Sequence, residues 1–246
     1  MKIKVCGMRD GENIRQVASL GIDWIGMVFA PGSPRCVTMI PTNAGIIPDR
    51  GKEVLKCPDH GEGCADGANH SPGLVGVFAD EMAQNIITRV VNFSLNAVQL
   101  DGSEPPTLIR NLRSTLTAPS AQGRAIAPGL QIWKKISVGS ADDLSLCDAY
   151  VDCCDMFVFE VKGTVDGDGR QHRAWDLLQA YDGPLPFLLS GSMGPADAAP
   201  LRTFHHPLCE GANLDEAFET APAMKDAERL RSFIASLGTV PKGGFH

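Results

Sequence analysis

Six residues into the chain a lone thiol closes an apolar, β-branched run, Lys2-Ile3-Lys4-Val5-Cys6, and is followed at once by Gly7. Side chains two apart on a strand share a face, so Lys4 and Cys6 lie one layer apart. A free thiol near pKa 8.5 is only slightly ionised at neutral pH, and a neighbouring ammonium favours its anion. Cys6 is therefore the first candidate for a reactive group, against the alternative of a buried cysteine acting as a small hydrophobe. A second set of chemistry-bearing residues is Cys57, His60, Cys64 and His70, spaced C-x2-H-x3-C-x5-H in a glycine-rich, almost apolar-free segment. Structural zinc loops use tighter paired spacings. The expectation is a mobile surface insertion over residues 51–72 and no metal. The eight cysteines, the vicinal pair Cys153-Cys154 among them, are scattered rather than framed, which in a chain this long points to reduced thiols.

The elements that must position Cys6 alternate. Short apolar runs recur at Ile3–Cys6, Trp24–Phe29, Leu74–Phe78, Ala97–Leu100, Leu130–Trp133, Met156–Phe159, Pro186–Leu189 and, weakly, Ala212–Leu214, each followed by a segment of helical period. Strand–helix alternation implies right-handed crossovers and a parallel sheet. Eight repeats in 246 residues, with 43% hydrophobic content, predict an α/β chain folded as a single (β/α)8 barrel domain of parallel strands over residues 1–246. Such barrels keep reactive groups at the C-terminal ends of the strands, where Cys6 stands. Asp10 is placed to cap a helix over Glu12–Leu20 that stops at Gly21, and Ser140 to cap a turn carrying Asp142 and Asp143. Pro195 suits the first turn of a segment ending near Phe204. Ala227, Leu230, Phe233, Ile234 and Leu237 give a last helix, Lys225–Leu237, one apolar face to lay on the barrel beside the first helix.

A net charge of −7 supplies no field for nucleic acid or an anionic membrane, so an anionic ligand must be held by local donors and a few placed cations. No apolar run reaches the roughly 20 residues that span a bilayer, and no signal-peptide pattern precedes the first strand. The expected setting is cytoplasmic, the expected partner a small phosphorylated molecule, and the expected state a monomer or homodimer.

Lys4-Val5-Cys6-Gly7-Met8, Phe29-Ala30-Pro31-Gly32-Ser33-Pro34-Arg35, Val75-Gly76-Val77-Phe78, Val98-Gln99-Leu100 and Leu188-Leu189-Ser190-Gly191 follow one another in register at strand–loop positions. Together with Phe204-His205-His206-Pro207 and Phe218-Glu219-Thr220-Ala221-Pro222, the chain resembles the phosphoribosylanthranilate isomerases of tryptophan biosynthesis, from Lys2 to about Ile234. The resemblance implies an Amadori rearrangement of N-(5′-phosphoribosyl)anthranilate to 1-(2-carboxyphenylamino)-1-deoxyribulose 5-phosphate, with no cofactor and no metal. In such enzymes a carboxylic acid protonates the furanose ring oxygen and a cysteine removes the C2′ proton.

Cys6 matches that cysteine. Counting back from Trp175, the acid falls on Glu160, where the family has aspartate. Glu160 leaves the apolar run Phe157-Val158-Phe159 at the rim, where partial desolvation favours a donatable proton; its alternative is a rim ion pair with Lys162. Arg35, which follows the rigid Pro31 and Pro34, matches an arginine that engages substrate, and its fork suits a carboxylate such as that of anthranilate. Phosphate in such barrels is held by backbone N–H groups after strands seven and eight, which implicates Gly191, Ser192 and Asn213.

Departures gather at the same rim. Ser192 replaces a glycine, Asp101 a histidine, and Asn213-Leu214-Asp215-Glu216-Ala217 an aspartate followed by small or hydroxyl residues, so two carboxylates stand near the expected phosphate. Gly167-Asp168-Gly169-Arg170 replaces a flexible glycine–serine loop, with Arg170 either a compensating phosphate ligand or a solvated side chain. The alternative these departures raise is a non-catalytic or diverged barrel binding a sugar phosphate or a partner.

Overall fold

The computed structural model describes residues 1–38, 40–42, 45–47, 71–119, 123–162, 164–165, 171–172 and 174–238. Eight parallel strands close into a barrel in chain order. They are β1 (Lys2–Val5), β2 (Trp24–Val28), β3 (Gly73–Phe78), β4 (Ala97–Leu100), β5 (Gln131–Val138), β6 (Met156–Val161), β7 (Phe187–Ser190) and β8 (Cys209–Leu214). The ring is sealed by β1 against β8, with Lys4 opposite Asn213, and the ladder runs one residue past β1 because the Cys6 N–H donates to Leu214 O at 2.8 Å. No helix among the described residues is long and apolar enough to cross a membrane.

Alternation along each strand divides the molecule into an outer and an inner core. Outward-facing Val5, Ile25, Phe78, Val98, Leu100, Phe157, Phe159, Phe187 and Leu189 pack under the helices. Inward-facing Val75, Ala97, Trp133, Met156, Val158 and Leu188, with Trp24 against them, fill the barrel interior, where Trp24 meets Trp133 edge-on at 5.0 Å. Above that apolar plug the inward side chains turn polar, with Lys4, Gln99, Ser190 and Asn213 all buried. The site stands on this floor.

Most expected strands agree with the observed ones to within a residue or two. The exceptions are the eighth, which begins at Cys209, three residues before the expected Ala212, and the fifth, expected to end at Trp133 but running on to Val138. Two lysines interrupt its apolar run, and each is neutralised in place: Lys134 points outward, where its ammonium meets buried Glu104 at 3.0 Å and donates to Leu100 O at 3.1 Å. Charge inside a strand is tolerated when it is paired. Past the last barrel strand, the closing helix is shorter than expected, Ala227–Ser236, and is capped by Asp226, whose side chain accepts from Arg229 N at 3.0 Å. Lys225 lies before it in a two-residue strand paired with Glu219–Ala221. The opening helix behaves as its signals imply, with Asp10 accepting from Asn13 N at 2.8 Å and Gly21 leaving it at φ 76°. Ala141–Ala149 and Ala174–Ala180 are 3₁₀ segments. The carboxylate of Asp143 accepts from the N–H groups of Gly139 and Ser140 at 2.8 Å each, closing the turn that Ser140 opens.

Candidate active site

Cys6 stands just beyond β1, inward-facing like Lys4 and 4% exposed. Its sulfur fits because the facing position on β2 is Gly26: a Cβ there would come within 2.8 Å of Cys6 Sγ. Burial pushes the Cys6 thiol above its ordinary range, Lys4 pulls it down, and Asp215 and Asp101 push it up again. Beneath it, Lys4 donates to Asn213 Oδ1 at 2.7 Å and Asn213 donates to Ser190 Oγ at 3.0 Å, tying β1, β8 and β7 into one buried chain of hydrogen bonds. Asn213 thus belongs to the floor that holds Lys4.

Glu160 is the fifth residue of β6, beside Ser190 on β7 and Ser137 on β5. Its Oε2 accepts from Ser137 Oγ at 3.0 Å and lies 3.4 Å from Lys135 Nζ. Lys135, not Lys162, is the cation that the glutamate meets at the rim. The same ammonium lies 3.6 Å from Asp101 Oδ2, so one lysine bridges two carboxylates. Burial works against the charge on Lys135, but Asp101 and Glu160 outweigh it and hold its pKa above the ordinary value. Burial raises the Asp101 carboxyl despite Lys135, a 2.7 Å hydrogen bond from Gln99 Nε2, and Lys4.

Arg35 crosses above Gly7, whose φ of 76° and lack of a side chain are both required, since a Cβ would meet Arg35 Cδ at 2.6 Å. Its Nε and Nη2 donate to the two carboxylate oxygens of Glu219 at 2.8 and 2.7 Å. Fully buried Lys225 donates to the same Glu219 at 2.7 Å and to Asp215 at 3.3 Å. Burial raises the Glu219 carboxyl, but the hydrogen bonds from Arg35 and Lys225 carry it below the ordinary value, and the Arg35 guanidinium is held above its own. The Nε and Nη2 side of the Arg35 fork is thereby committed to protein. The feared repulsion is also reduced, because Asp215 reaches Arg35 at 3.8 Å as well as Lys225, and Glu216 reaches Arg35 at 3.6 Å.

A cavity of about 370 Å³ opens over β6, β7 and β8, lined by Glu160, Ser190, Gly191, Ser192, Asn213 and Asp215 among others. Gly191 is obligatory there: its φ is 109°, and a Cβ would lie 2.3 Å from Val161 O. Gly191 and Ser192 both line the cavity, and backbone amides are donors of the kind that suit an anion. Arg170 and the Cys57, His60, Cys64 and His70 set lie outside the described residues. Among the described residues no group of three or more histidine, cysteine or acidic side chains is arranged to hold a metal.

Cys6, Glu160, Gly191, Ser192 and Asn213 thus come to one mouth, with Arg35 at its edge. Sequence reasoning missed Lys135, Lys225 and Glu219. Lys135 carried a usable signal, since it shares the parity of inward-facing Trp133. Glu219 and Lys225 carried none, because their roles depend on Arg35, nearly two hundred residues away.

Residues 64–236 match the family model described as N-(5′-phosphoribosyl)anthranilate (PRA) isomerase. The N-(5′-phosphoribosyl)anthranilate isomerase of Phocaeicola vulgatus is 35% identical over 96% of this chain and 98% of its own length. That of Parabacteroides distasonis is 30% identical over 96% of this chain and 93% of its own. Among solved structures, a phosphoribosyl anthranilate isomerase in complex with reduced 1-(o-carboxyphenylamino)-1-deoxyribulose 5-phosphate superposes with a TM-score of 0.68 at 21% identity, covering 96% of this chain and 98% of that one.

Proposed function

The chain belongs to the N-(5′-phosphoribosyl)anthranilate isomerase family, and from that premise we propose that Cys6 and Glu160 are the base and acid of its reaction. It is an isomerase of tryptophan biosynthesis that converts N-(5′-phosphoribosyl)anthranilate to 1-(2-carboxyphenylamino)-1-deoxyribulose 5-phosphate. Protonated Glu160 gives its proton to the ring oxygen, the C1′–O4′ bond breaks onto that oxygen, and the anthranilate nitrogen forms the C1′ iminium. The Cys6 thiolate then takes the C2′ proton, and the electrons of that bond make the enolamine, which becomes the ketone as C1′ is protonated and the C2′ hydroxyl is deprotonated. General acid and base assistance are each worth about 10²–10⁴-fold.

The observation that carries this reading is that a thiol above a buried lysine and a carboxyl group on β6 both face the polar mouth of one barrel. The longer arm of Glu160, relative to aspartate, is supported by the Ser137 hydroxyl and Lys135. The backbone N–H groups at Gly191 and Ser192 hold the phosphate, Arg170 and Asn213 complete its surroundings, and Arg35 takes the anthranilate carboxylate on its Nη1 side. The barrel acts as one domain without cofactor or metal, each chain supplying its own site whether alone or as a homodimer, and a reducing cytoplasmic setting suits the thiol.

The test is to follow loss of anthranilate-type fluorescence when purified full-length protein meets freshly generated phosphoribosylanthranilate. Turnover by the native protein that both Cys6→Ala and Glu160→Gln abolish supports the assignment. A native protein that binds a product analogue, seen as a rise in Tm, yet turns nothing over would instead favour a diverged, non-catalytic barrel.

A further inference from the structure

We propose that Asp101 is a third catalytic group, taking the proton from the substrate's C2′ hydroxyl as the enolamine becomes the ketone, while Lys135 positions it opposite Glu160. The proposal rests on the reading of Cys6 and Glu160 given above. Asp101 follows β4 directly and faces inward with Gln99, whose amide nitrogen fixes Oδ1 at 2.7 Å. Its other oxygen lies 3.6 Å from the ammonium that also meets Glu160 at 3.4 Å. The groups facing it are therefore Lys4 and Cys6 from β1, Gln99 from its own strand, Lys135 from β5 and Glu160 from β6.

This placement answers a need in the chemistry. Glu160 has one proton to give, to the ring oxygen, and Cys6 has one proton to take, from C2′. The last step then requires the Cys6 thiol to return its proton to C1′ and some base to take the proton of the C2′ hydroxyl as the C2′=O bond forms. The acceptor should be a carboxylate on the Cys6 side of the mouth with more than ordinary basicity. Asp101 stands at the C-terminal end of β4 as Cys6 does at that of β1, held there by Gln99 and Lys135, and its burial makes it a stronger base than a solvated aspartate. When product leaves, Asp101 releases its proton to water and Glu160 recovers one, so the cycle closes with no net transfer.

Lys135 has two effects. Its charge lowers the Asp101 carboxyl against the rise imposed by burial, which favours the ionised form, and its ammonium stands between the two carboxylates, 3.6 and 3.4 Å from them. Because Asp101 must be ionised to accept, kcat should fall as pH drops through the Asp101 pKa, which lies above the ordinary aspartate value.

The experiment is a set of kcat–pH profiles for the native protein, Asp101→Asn and Lys135→Met, with Cys6→Ala and Glu160→Gln alongside. Asp101→Asn should lower kcat by about 10²-fold with KM changed by less than about threefold, and its profile should lose the Asp101 limb at lower pH while keeping the rise that follows Cys6 ionisation. Lys135→Met should move the acid limb to higher pH, a shift that a merely structural role for Asp101 would not produce. Native turnover with Asp101→Asn within about twofold of it, or with the limb unmoved in either variant, overturns the proposal while leaving Cys6 and Glu160 in place. A native protein without turnover overturns both.

Discussion

The two sides of the barrel mouth are built on opposite plans. On the β1–β8 side the three cations have short, direct partners: Lys4 on Asn213 at 2.7 Å, Arg35 bidentate on Glu219, and buried Lys225 at 2.7 Å from the same carboxylate. On the β4–β6 side one ammonium stands 3.4 and 3.6 Å from two carboxylates, and Gln99 Oε1 is buried with no hydrogen-bond partner. Saturated networks fix geometry, and loosely paired groups can change protonation without tearing structure apart. On the reading proposed above, the first side holds the sulfur and the substrate in place, and the second carries the two carboxylates that exchange protons with them.

That contrast is most exposed to failure where rate and stability part company. Cys6→Ala should lower turnover by about 10²–10⁴-fold while the small buried side chain it removes leaves the barrel folded, which steady-state assay and far-UV circular dichroism would show. On the saturated side the balance reverses. Glu219→Gln leaves Arg35 and buried Lys225 with only the longer contacts of Asp215 and Glu216 to offset their charges, and should cost about 3 kcal/mol by urea denaturation. The Glu219 carboxyl lies below its ordinary value when folded, so its contribution is present above the unfolded carboxylate range and is lost as pH falls through the folded value. Tm should therefore decline more steeply with acid in the native protein than in Glu219→Gln.

Smaller effects sharpen the same division. Gly191→Ala must push its Cβ away from Val161 O at a φ of 109°, so it should cost about 1–3 kcal/mol and raise KM more than it lowers kcat. Smallest is the expected change on pH: since burial lifts the Cys6 thiol, the thiolate fraction grows toward alkaline pH, and kcat/KM should keep rising above neutrality. A profile flat from neutral pH upward would mean that the thiol is already ionised or uninvolved.

The β1–β8 half was legible where function and strand pattern coincide. Cys6 ends a strand, Gly191 follows one, and both could be found from apolar periodicity alone. Glu160 was placed through its neighbours' resemblance to a family, and the structure adds what a sequence cannot carry, namely that its partner is Lys135 rather than Lys162. The fifth strand was cut short because a charged pair reads as a strand end unless its counter-charges, Glu104 and Asp101 on another part of the chain, are known. Long-range electrostatic pairing has no local period to detect.

The central claim is that the Cys6 sulfur reaches substrate in the mouth. It is tested most directly by alkylating the protein with iodoacetamide, mapping modified cysteines by mass spectrometry and following activity. Activity should fall in step with Cys6 modification alone, and reduced 1-(2-carboxyphenylamino)-1-deoxyribulose 5-phosphate should block both. Full activity in protein whose Cys6 is completely alkylated would contradict it.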